Sequence, residues 1–298
     1  MKWEGLRESD QIEDRRGSTG GGGVGGGGVR LPVGRGGVGL GTVAIALVAG
    51  WIFGINPMTI LGIIGSMDSG PAVTQQAEPA GPVQRDEATR FVSTVLASTE
   101  DAWEEAFRSA GSQYQKPVLV LYRGATRSAC GLGQAEMGPF YCPGDRKVYL
   151  DLDFFDVMRQ RLGAPGDFAQ AYVVAHEVGH HVQHLMGITD KVDAARRRMS
   201  EAQANALSVR LELQADCLAG IWAHSSQQAK GWIENGDLQE ALNAASQIGD
   251  DTLQRNAGGA VAPENFTHGS SAQRVRWFQK GYQSGQVKDC NTFEARQL

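Results

Sequence analysis

The sequence lacks a strongly basic region. Its 298 residues include 28 Lys and Arg against 33 Asp and Glu, which gives a formal net charge of -5. Arg196, Arg197 and Arg198 form the one basic cluster of the second half; a solvated helix face explains it more simply than a binding patch does. Because neutralising phosphates requires a basic surface, this charge balance argues against a nucleic-acid-binding protein.

Charged residues are also absent from residues 36–67. Within this stretch, residues 38–56 are apolar enough and long enough to cross a bilayer as a helix, although a buried helix of a soluble domain is the alternative. Arg30 and Arg35 precede the segment, whereas the first basic residue after it is Arg85. This distribution predicts a single-pass protein of the inner (cytoplasmic) membrane, with its amino terminus in the cytoplasm and the bulk of the chain exported.

Glycine and proline divide the remainder of the chain. Residues 17–28 are almost pure glycine, and a flexible cytoplasmic tail is therefore predicted over residues 1–37. A phosphate-binding loop is the alternative, but it would need a preceding strand and a following Gly-Lys-Ser or Gly-Lys-Thr. Residues 57–85 contain several prolines and are predicted to be a juxtamembrane segment and linker, which leaves residues 86–298 as the folded domain.

The four cysteines include no C-x-x-C pair, which favours disulfides in an exported protein over a zinc knuckle. Cys130 and Cys142 bracket a short glycine-rich loop next to a Pro-Gly-Asp turn, so a disulfide between them is geometrically easy. Cys217 and Cys290 would then pair by elimination, and two buried free thiols are an equal alternative.

Hydrophobic periodicity predicts a mainly helical α+β domain with a small sheet. The predicted helices cover residues 86–97, 100–110, 153–162, 167–186, 191–225, 237–248 and 271–283. Ser200 and Gln203 have the spacing of a capping box, which predicts a break in the fifth of these helices. The predicted strands cover residues 118–122, 140–142 and 148–150.

The segment AYVVAHEVGHHVQHLMG contains the pattern H-E-x-x-H. On a helix, His176 and His180 lie one turn apart on the same face, so both imidazoles can bind one zinc ion. Glu177 lies on the adjacent flank, where it can act as the general base on a water at the open metal position. A histidine-rich polar helix face is the alternative. His181 and His184 are predicted to lie on the helix surface or to support the ligands.

A third histidine of the longer pattern H-E-x-x-H-x-x-G-x-x-H is excluded, because positions 183 and 186 are Gln183 and Met186. The third ligand is therefore expected from another helix, where Glu212 and Asp216 are four residues apart and share a face. Glu212 is predicted to bind zinc and Asp216 to accept a hydrogen bond from His176. An exposed acidic helix face is the alternative.

H-E-x-x-H followed by E-x-x-x-D resembles the gluzincin class of zinc peptidases, and the wider sequence resembles the neutral zinc metallopeptidase family of bacterial membrane proteins. This resemblance covers essentially the whole chain, and its most specific segments are MKWEGLRESDQIEDRRG, CGLGQAEMGPFYCPGDRKVYLDLDFF and THGSSAQRVRWF. It implies a zincin-like domain with one Zn2+ per chain that hydrolyses peptide bonds of peptides or unfolded proteins.

His268 is followed six residues later by Arg274, which resembles the end of the active site in a class of membrane-associated zinc peptidases. The likeness implies that His268 stabilises the oxyanion of the reaction and that Arg274 orients an active-site acid such as Asp216. A proline usually follows the histidine in those relatives, whereas this chain has Gly269. Capping of the next helix by His268 is the alternative.

These features predict a zinc-dependent endopeptidase tethered to the membrane, in which Glu177 takes a proton from water and passes it to the departing amine. Residues 140–150 are predicted to offer a strand edge to an extended substrate, with an internal hairpin as the alternative. Two other functions fit the same residues. One is a membrane-tethered, zinc-stabilised assembly or chaperone-like protein with little turnover, and the other is a zinc hydrolase of non-peptide substrates.

Overall fold

The structure is a computed structural model that describes residues 1–17, 81–134 and 138–298. Its strands are β1 (Ile12–Asp14), β2 (Val118–Tyr122), β3 (Ala125–Ser128), β4 (Gly131–Gln134), β5 (Phe140–Cys142) and β6 (Lys147–Asp151). Its α-helices are α1 (Glu87–Ser109), α2 (Asp153–Gln160), α3 (Asp167–Leu185), α4 (Ile188–Arg196), α5 (Glu201–Lys230), α6 (Asp237–Gln247), α7 (Asp250–Asn256) and α8 (Ser271–Ser284). Short 3-10 turns occupy Pro263–Asn265 and Val287–Cys290. The predicted mainly helical α+β class is confirmed.

Four strands form a mixed sheet in the order β1-β2-β6-β5, and β3 and β4 form a separate antiparallel pair. The pairs β1-β2 and β2-β6 are parallel, and β5 runs antiparallel to β6 at the edge of the sheet. Alternate residues of the central strands, such as Leu119 and Leu121, pack into the main core with the helices. Val120 and Tyr122 point to the opposite face, where they form a smaller cluster with Tyr149.

The observed helices differ in two places from those predicted by hydrophobic periodicity. Residues 86–97 and 100–110 were predicted as separate helices, but α1 is continuous, and Ser98 and Thr99 donate hydrogen bonds to carbonyls of the preceding turn. No glycine or proline lies at this point to end the helix. The predicted break at Ser200 is confirmed by a complete capping box with Gln203. Helix α7 was not predicted, because its seven residues include one apolar side chain, Leu253, and so carry little periodicity.

Residues 1–17 belong to the folded domain, in contrast to the flexible tail predicted over residues 1–37. Ile12–Asp14 pairs with β2, and Trp3 packs edge-on against Phe91 of α1 with 5.4 Å between ring centroids. This strand was not predicted, because it is short and two of its three residues are charged. The folded unit therefore begins before the predicted boundary at Asp86.

Both predicted disulfides are present. The Cys130–Cys142 bond joins the turn between β3 and β4 to the edge strand β5. The Cys217–Cys290 bond joins the middle of α5 to the second 3-10 turn. The alternative of two buried free thiols is therefore wrong.

The segment predicted to cross the membrane, residues 38–56, lies outside the described residues. Within the described ranges, no helix combines the length and the apolar character that a bilayer crossing requires.

Candidate metal centre

Helix α3 carries the H-E-x-x-H pattern through the middle of the domain. It is buried along most of its length, and the ring of His176 is almost completely enclosed. His180, one turn further on, retains a 17% exposed side chain. The turn of α3 that carries His176 is therefore enclosed by protein, whereas the next turn, which carries His180, is partly open to solvent.

A glycine inside the motif allows the second helix of the site to approach. A Cβ atom on Gly179 would lie 3.0 Å from the carbonyl oxygen of Ala215 and 3.2 Å from its Cα atom. Such contacts are tighter than most Cβ contacts in packed proteins, so glycine at this position favours the close approach of α3 and α5. This approach brings Glu212 and Asp216 of α5 against the two histidines.

The structure brings His176, His180 and Glu212 to one point. Glu212 Oε2 lies 3.2 Å from His176 Nε2 and 3.5 Å from His180 Nε2, and all three ligand atoms lie within 4.8 Å of one another. Two ligands bound tetrahedrally to zinc at about 2.1 Å are roughly 3.4 Å apart. The spacing and the two-nitrogen, one-oxygen donor set therefore fit a zinc ion with an open fourth position.

The predicted contact between His176 and Asp216 is present. His176 Nδ1 lies 2.8 Å from Asp216 Oδ1, which also accepts a hydrogen bond of 2.5 Å from the Tyr172 hydroxyl. A carboxylate accepts only, so His176 donates from Nδ1, and when the ring is neutral its Nε2 lone pair faces the metal position.

His180 is oriented by Gln183, a residue for which the sequence pattern predicted no role at the site. Gln183 Nε2 donates to the carbonyl of Leu211 at 2.7 Å and to Gln214 Oε1 at 3.1 Å, which turns Gln183 Oε1 toward His180 Nδ1 at 2.8 Å. His180 must therefore donate from Nδ1 and keep Nε2 free for a metal. The three-residue spacing of His180 and Gln183 on one helix was the available signal.

Arg274 reaches the buried face of Asp216 from α8. Its Nε and Nη2 atoms donate to the two carboxylate oxygens at 2.9 and 3.0 Å, as the resemblance implied. Asp216 is fully buried and Arg274 is 3% exposed. Burial alone would raise the pKa of Asp216, but the charges of Arg274 and His176 outweigh it and lower this pKa to about 2. The carboxylate is thus ionised beneath His176.

Two glycines also allow α8 to lie close to α5. A Cβ atom on Gly220 of α5 would meet the carbonyl oxygen of Phe278, and one on Gly281 of α8 would meet that of Cys217, both at distances no real contact reaches. The two helices therefore pack backbone to backbone. This close packing lets Arg274 extend along the interface to Asp216.

The surroundings of the ligands favour a positive charge. Burial disfavours a charged His176, yet Asp216 and Glu212 together raise its pKa to about 10. Burial opposes the His180 cation as well, and Glu212 raises that pKa too. Two carboxylates beside two imidazoles thus create a buried site that stabilises a cation, as a zinc position requires.

Glu177 lies beside this cluster without belonging to it. Its side chain is 8% exposed, and none of the described residues forms a hydrogen bond with it. Its negative charge contributes to raising the pKa of His180, which places the carboxylate near the ligands.

His268 lies on the loop before α8, next to the metal cluster. Asp250 accepts backbone hydrogen bonds from Thr267, His268 and Gly269 at 2.7 to 2.9 Å, and its Oδ1 lies 3.3 Å from His268 Nδ1. Burial works against the imidazolium, but Asp250 raises the pKa of His268, with a further contribution from Glu212. Ser270, and not His268, caps α8. Asp250 was missed because it lies in the short polar helix α7.

The two remaining histidines of α3 occupy different environments. His181 is fully buried, and its Nε2 donates to the Gln115 carbonyl at 2.6 Å while its Nδ1 accepts from the Tyr141 hydroxyl at 3.0 Å. Burial lowers the pKa of His181 to about 4, so the ring is neutral. His181 is therefore not a surface residue; it ties the zinc-motif helix to β5. The side chain of His184 contacts the ring of Tyr141 at a centroid distance of 6.2 Å.

The metal-free protein is expected to become less stable as the pH rises. The folded-state pKa of His176 is raised from 6.5 to about 10, so its stabilising contribution is complete below about pH 6.5 and is lost as the pH rises toward about 10. Zinc should reverse this trend, because a ligand histidine must be neutral. Thermal midpoints measured between pH 6.5 and about 10, with a chelator and with zinc, test the fall in stability of the metal-free protein and its reversal by zinc. The His176→Gln variant should show a smaller pH dependence, because only His180 still titrates there, and a weaker effect of zinc. An equal slope in that variant and the parent would contradict the assignment.

Comparisons with known proteins show which family the sequence matches. Residues 1–293 match the protein family described as "Putative neutral zinc metallopeptidase". The chain is 53% identical over 293 residues to the uncharacterized protein YpfJ of Escherichia coli strain K12, which covers 98% of this chain and 99% of that protein. It is 40% identical over 222 residues to the uncharacterized protein Rv2575 of Mycobacterium tuberculosis, which covers 71% and 74% of the two chains. No solved structure gives a significant match.

The family match spans nearly all of the sequence, including the residues that converge as a zinc-type ligand set and the residues that orient them. The chain therefore belongs to this neutral zinc metallopeptidase family.

Proposed function

We propose that the protein is a zinc-dependent endopeptidase that uses one Zn2+ held by His176, His180 and Glu212. The observation that carries the proposal is the convergence of these three ligand atoms beside a fourth residue, Glu177, whose carboxylate is not engaged by the described residues. A purely structural zinc site has four protein ligands and gains nothing from an adjacent free base.

Zinc, when bound, would polarise a peptide carbonyl and make a nearby water more acidic. The protein residues supply the proton transfers and the orientation. Glu177 takes the proton of the attacking water and delivers it to the departing amine. Asp216 and Gln183 hold the two imidazoles with Nε2 toward the metal position, so the ligand set needs no rearrangement.

His268 is proposed to stabilise the negative charge that develops on the substrate carbonyl oxygen. Its raised pKa favours the imidazolium, which can donate from Nε2 while Asp250 lies against Nδ1. The mutual effect of His268 and Glu212 on each other's pKa supports a position next to the ligands.

Strand β5 is the proposed docking edge for an extended peptide. It pairs with β6 on one side, and no strand of the described residues pairs with its other side. Tyr141 of β5 is bound to His181 of α3, which keeps this edge next to the zinc motif. Backbone hydrogen bonds to an edge strand recognise a peptide with little dependence on its side chains.

The catalytic domain is proposed to be extracytoplasmic and tethered to the membrane by the apolar residues 38–56. Two disulfides, Cys130–Cys142 and Cys217–Cys290, support export, because such bonds persist in oxidising compartments.

The function is tested with the purified full chain, first stripped of metal by a chelator and then supplied with zinc. We expect one bound Zn2+ per chain and cleavage of an unfolded protein such as casein at internal peptide bonds, detected by mass spectrometry of the products. Chelation should stop cleavage and zinc should restore it. One tightly bound Zn2+ without any peptide product would instead favour the assembly or chaperone-like alternative.

Asp250→Asn is expected to shift the alkaline limit of kcat/KM to lower pH. Asp250 raises the pKa of His268, so the substitution lowers that pKa and His268 loses its proton at a lower pH. Asp251→Asn is the matched control, because Asp251 binds Ser271 of the same region and does not contact His268. A comparison of the pH profiles of the parent and both variants measures the effect. Equal shifts in the two variants would contradict the proposed role.

A further inference from the structure

Residues 1–17 pack against the part of the domain that begins at residue 81. We infer that residues 1–17 are an integral part of the catalytic domain and occupy the same compartment as residues 81–298. Positions 17 and 81 then lie on the same side of any membrane, because a single crossing by residues 38–56, expected from the sequence, would separate two parts of one sheet. The tether proposed above is compatible with this inference only if residues 38–56 do not carry the chain across the membrane.

Strand β1 completes the sheet beside β2. The Leu119 amide donates to the Gln11 carbonyl at 2.9 Å, and the Arg15 amide donates to the Leu121 carbonyl at 2.8 Å. Without this segment, β2 would become an exposed edge strand with unpaired backbone groups. Arg15 is itself 2% exposed, and its guanidinium donates to the carbonyl of Arg127 at 2.8 Å.

A buried carboxylate of α1 depends on the same segment. Glu100 is completely buried, and it accepts hydrogen bonds from Arg7 Nη1 at 2.9 Å and from Ser9 Oγ at 2.5 Å. Lys116 Nζ also lies 3.5 Å from this carboxylate. Removing residues 1–17 would leave this buried charge without its arginine and its hydroxyl donor, which is costly.

The two ends of the connection meet at Asp14. The Gly81 amide donates to the Asp14 backbone carbonyl at 2.9 Å, and the Gln84 amide donates to the Asp14 side chain at 2.9 Å. Arg16 binds both Asp14 and Asp86, at 2.7 and 2.6 Å. The chain thus departs and returns at one place on the domain surface, which a connection ending on opposite sides of a membrane cannot do.

Compartment is tested in intact cells by labelling with a membrane-impermeant maleimide. Glu4→Cys adds an exposed thiol in the first segment, and Gln113→Cys adds the matched thiol in the domain; the native cysteines are all in disulfides. We expect the two sites to give the same result, whichever side the domain occupies, and both to label after permeabilisation. Labelling of one site but not the other in intact cells would overturn the inference. This outcome does not depend on peptidase activity.

Docking is tested on the purified full chain with Arg7→Met in the parent and in a Glu100→Gln background. In the parent we expect the thermal midpoint to fall by about 5 °C, because Glu100 loses a charged hydrogen bond. The fall should be at least halved once Glu100 is neutral. Lys2→Met, which changes a 71% exposed side chain, is the control with little expected effect. If Arg7→Met leaves the midpoint unchanged in both backgrounds, the segment is not docked and the inference is wrong.

Discussion

Replacing Glu177 by Gln is expected to reduce kcat/KM for peptide cleavage by about 10²–10⁴-fold, the usual contribution of a general base. Gln has the size and polarity of Glu but cannot take a proton from water. Because Glu177 is outside the ligand cluster, the variant should keep its zinc and its thermal midpoint. Steady-state kinetics on an unfolded substrate, with zinc content measured on the same samples, checks both halves of the expectation.

Glu212→Gln provides the contrasting control for that experiment. Glu212 lies within 3.5 Å of both ligand nitrogens, so its replacement should weaken zinc binding as well as activity. Excess zinc should therefore restore part of the activity of the Glu212 variant and none of that of the Glu177 variant. Equal cleavage by the Glu177→Gln variant and the parent would remove the proposed base and favour a zinc-stabilised assembly or chaperone-like protein.

Replacing Arg274 by Met is expected to lower the free energy of unfolding by about 3–5 kcal/mol, the cost of leaving one partner of a buried ion pair alone. Asp216 is fully buried, and Arg274 binds both of its carboxylate oxygens. The pKa of Asp216, now about 2, should rise in the variant. Zinc affinity should also fall about 10–100-fold, because Asp216 orients His176.

Urea unfolding at neutral pH measures how far Arg274→Met lowers the free energy of unfolding. Arg276→Met is the matched control on the same helix. Arg276 is exposed, and its one side-chain hydrogen bond within the described part of the chain goes to the backbone oxygen of Leu298, so a change within about 0.5 kcal/mol is expected. Adding Asp216→Asn to Arg274→Met should recover part of the stability, because the unpaired buried charge is then absent. Equal losses from the two arginine substitutions would contradict the buried ion pair as the cause.

The pH dependence of the parent follows from the same ion pair. The pKa of Asp216 is lowered in the folded protein from 3.8 to about 2, so its stabilising contribution is complete above pH 3.8 and is lost as the pH falls toward about 2. His176 acts in the opposite direction in the metal-free protein, where its contribution is lost at high pH.

Local patterns predicted the parts of the site that lie within one element. The helical spacing of His176 and His180, and of Glu212 and Asp216, is fixed by the repeat of the α-helix, so each pair could be placed on a common face before any fold was known. The capping box at Ser200 was predicted for the same reason. The disulfide partners were reached by spacing and elimination, and both pairings are present.

Contacts between elements were harder to predict. Asp250 matters because of the groups opposite it, and its residue type at that position does not signal a site. Gln183 has the helical spacing to reach His180, but its hydrogen bonds to Leu211 and Gln214 of α5 follow only from the packing of the two helices. The same holds for His181, whose partners Gln115 and Tyr141 come from distant parts of the chain. The place of residues 1–17 in the sheet was missed because a three-residue charged strand carries no hydrophobic pattern.

By itself the sequence determined which side chains could bind zinc, which carboxylate could act as a base, and which family the chain resembles. The tertiary structure alone decided that Glu212 meets both histidines, that Arg274 lies beneath Asp216, and that the first residues of the chain are part of the domain. The physical reason is that helical spacing is a local property of the backbone. The approach of one helix to another depends on glycine contacts such as Gly179 against Ala215, which exist only once the chain has folded.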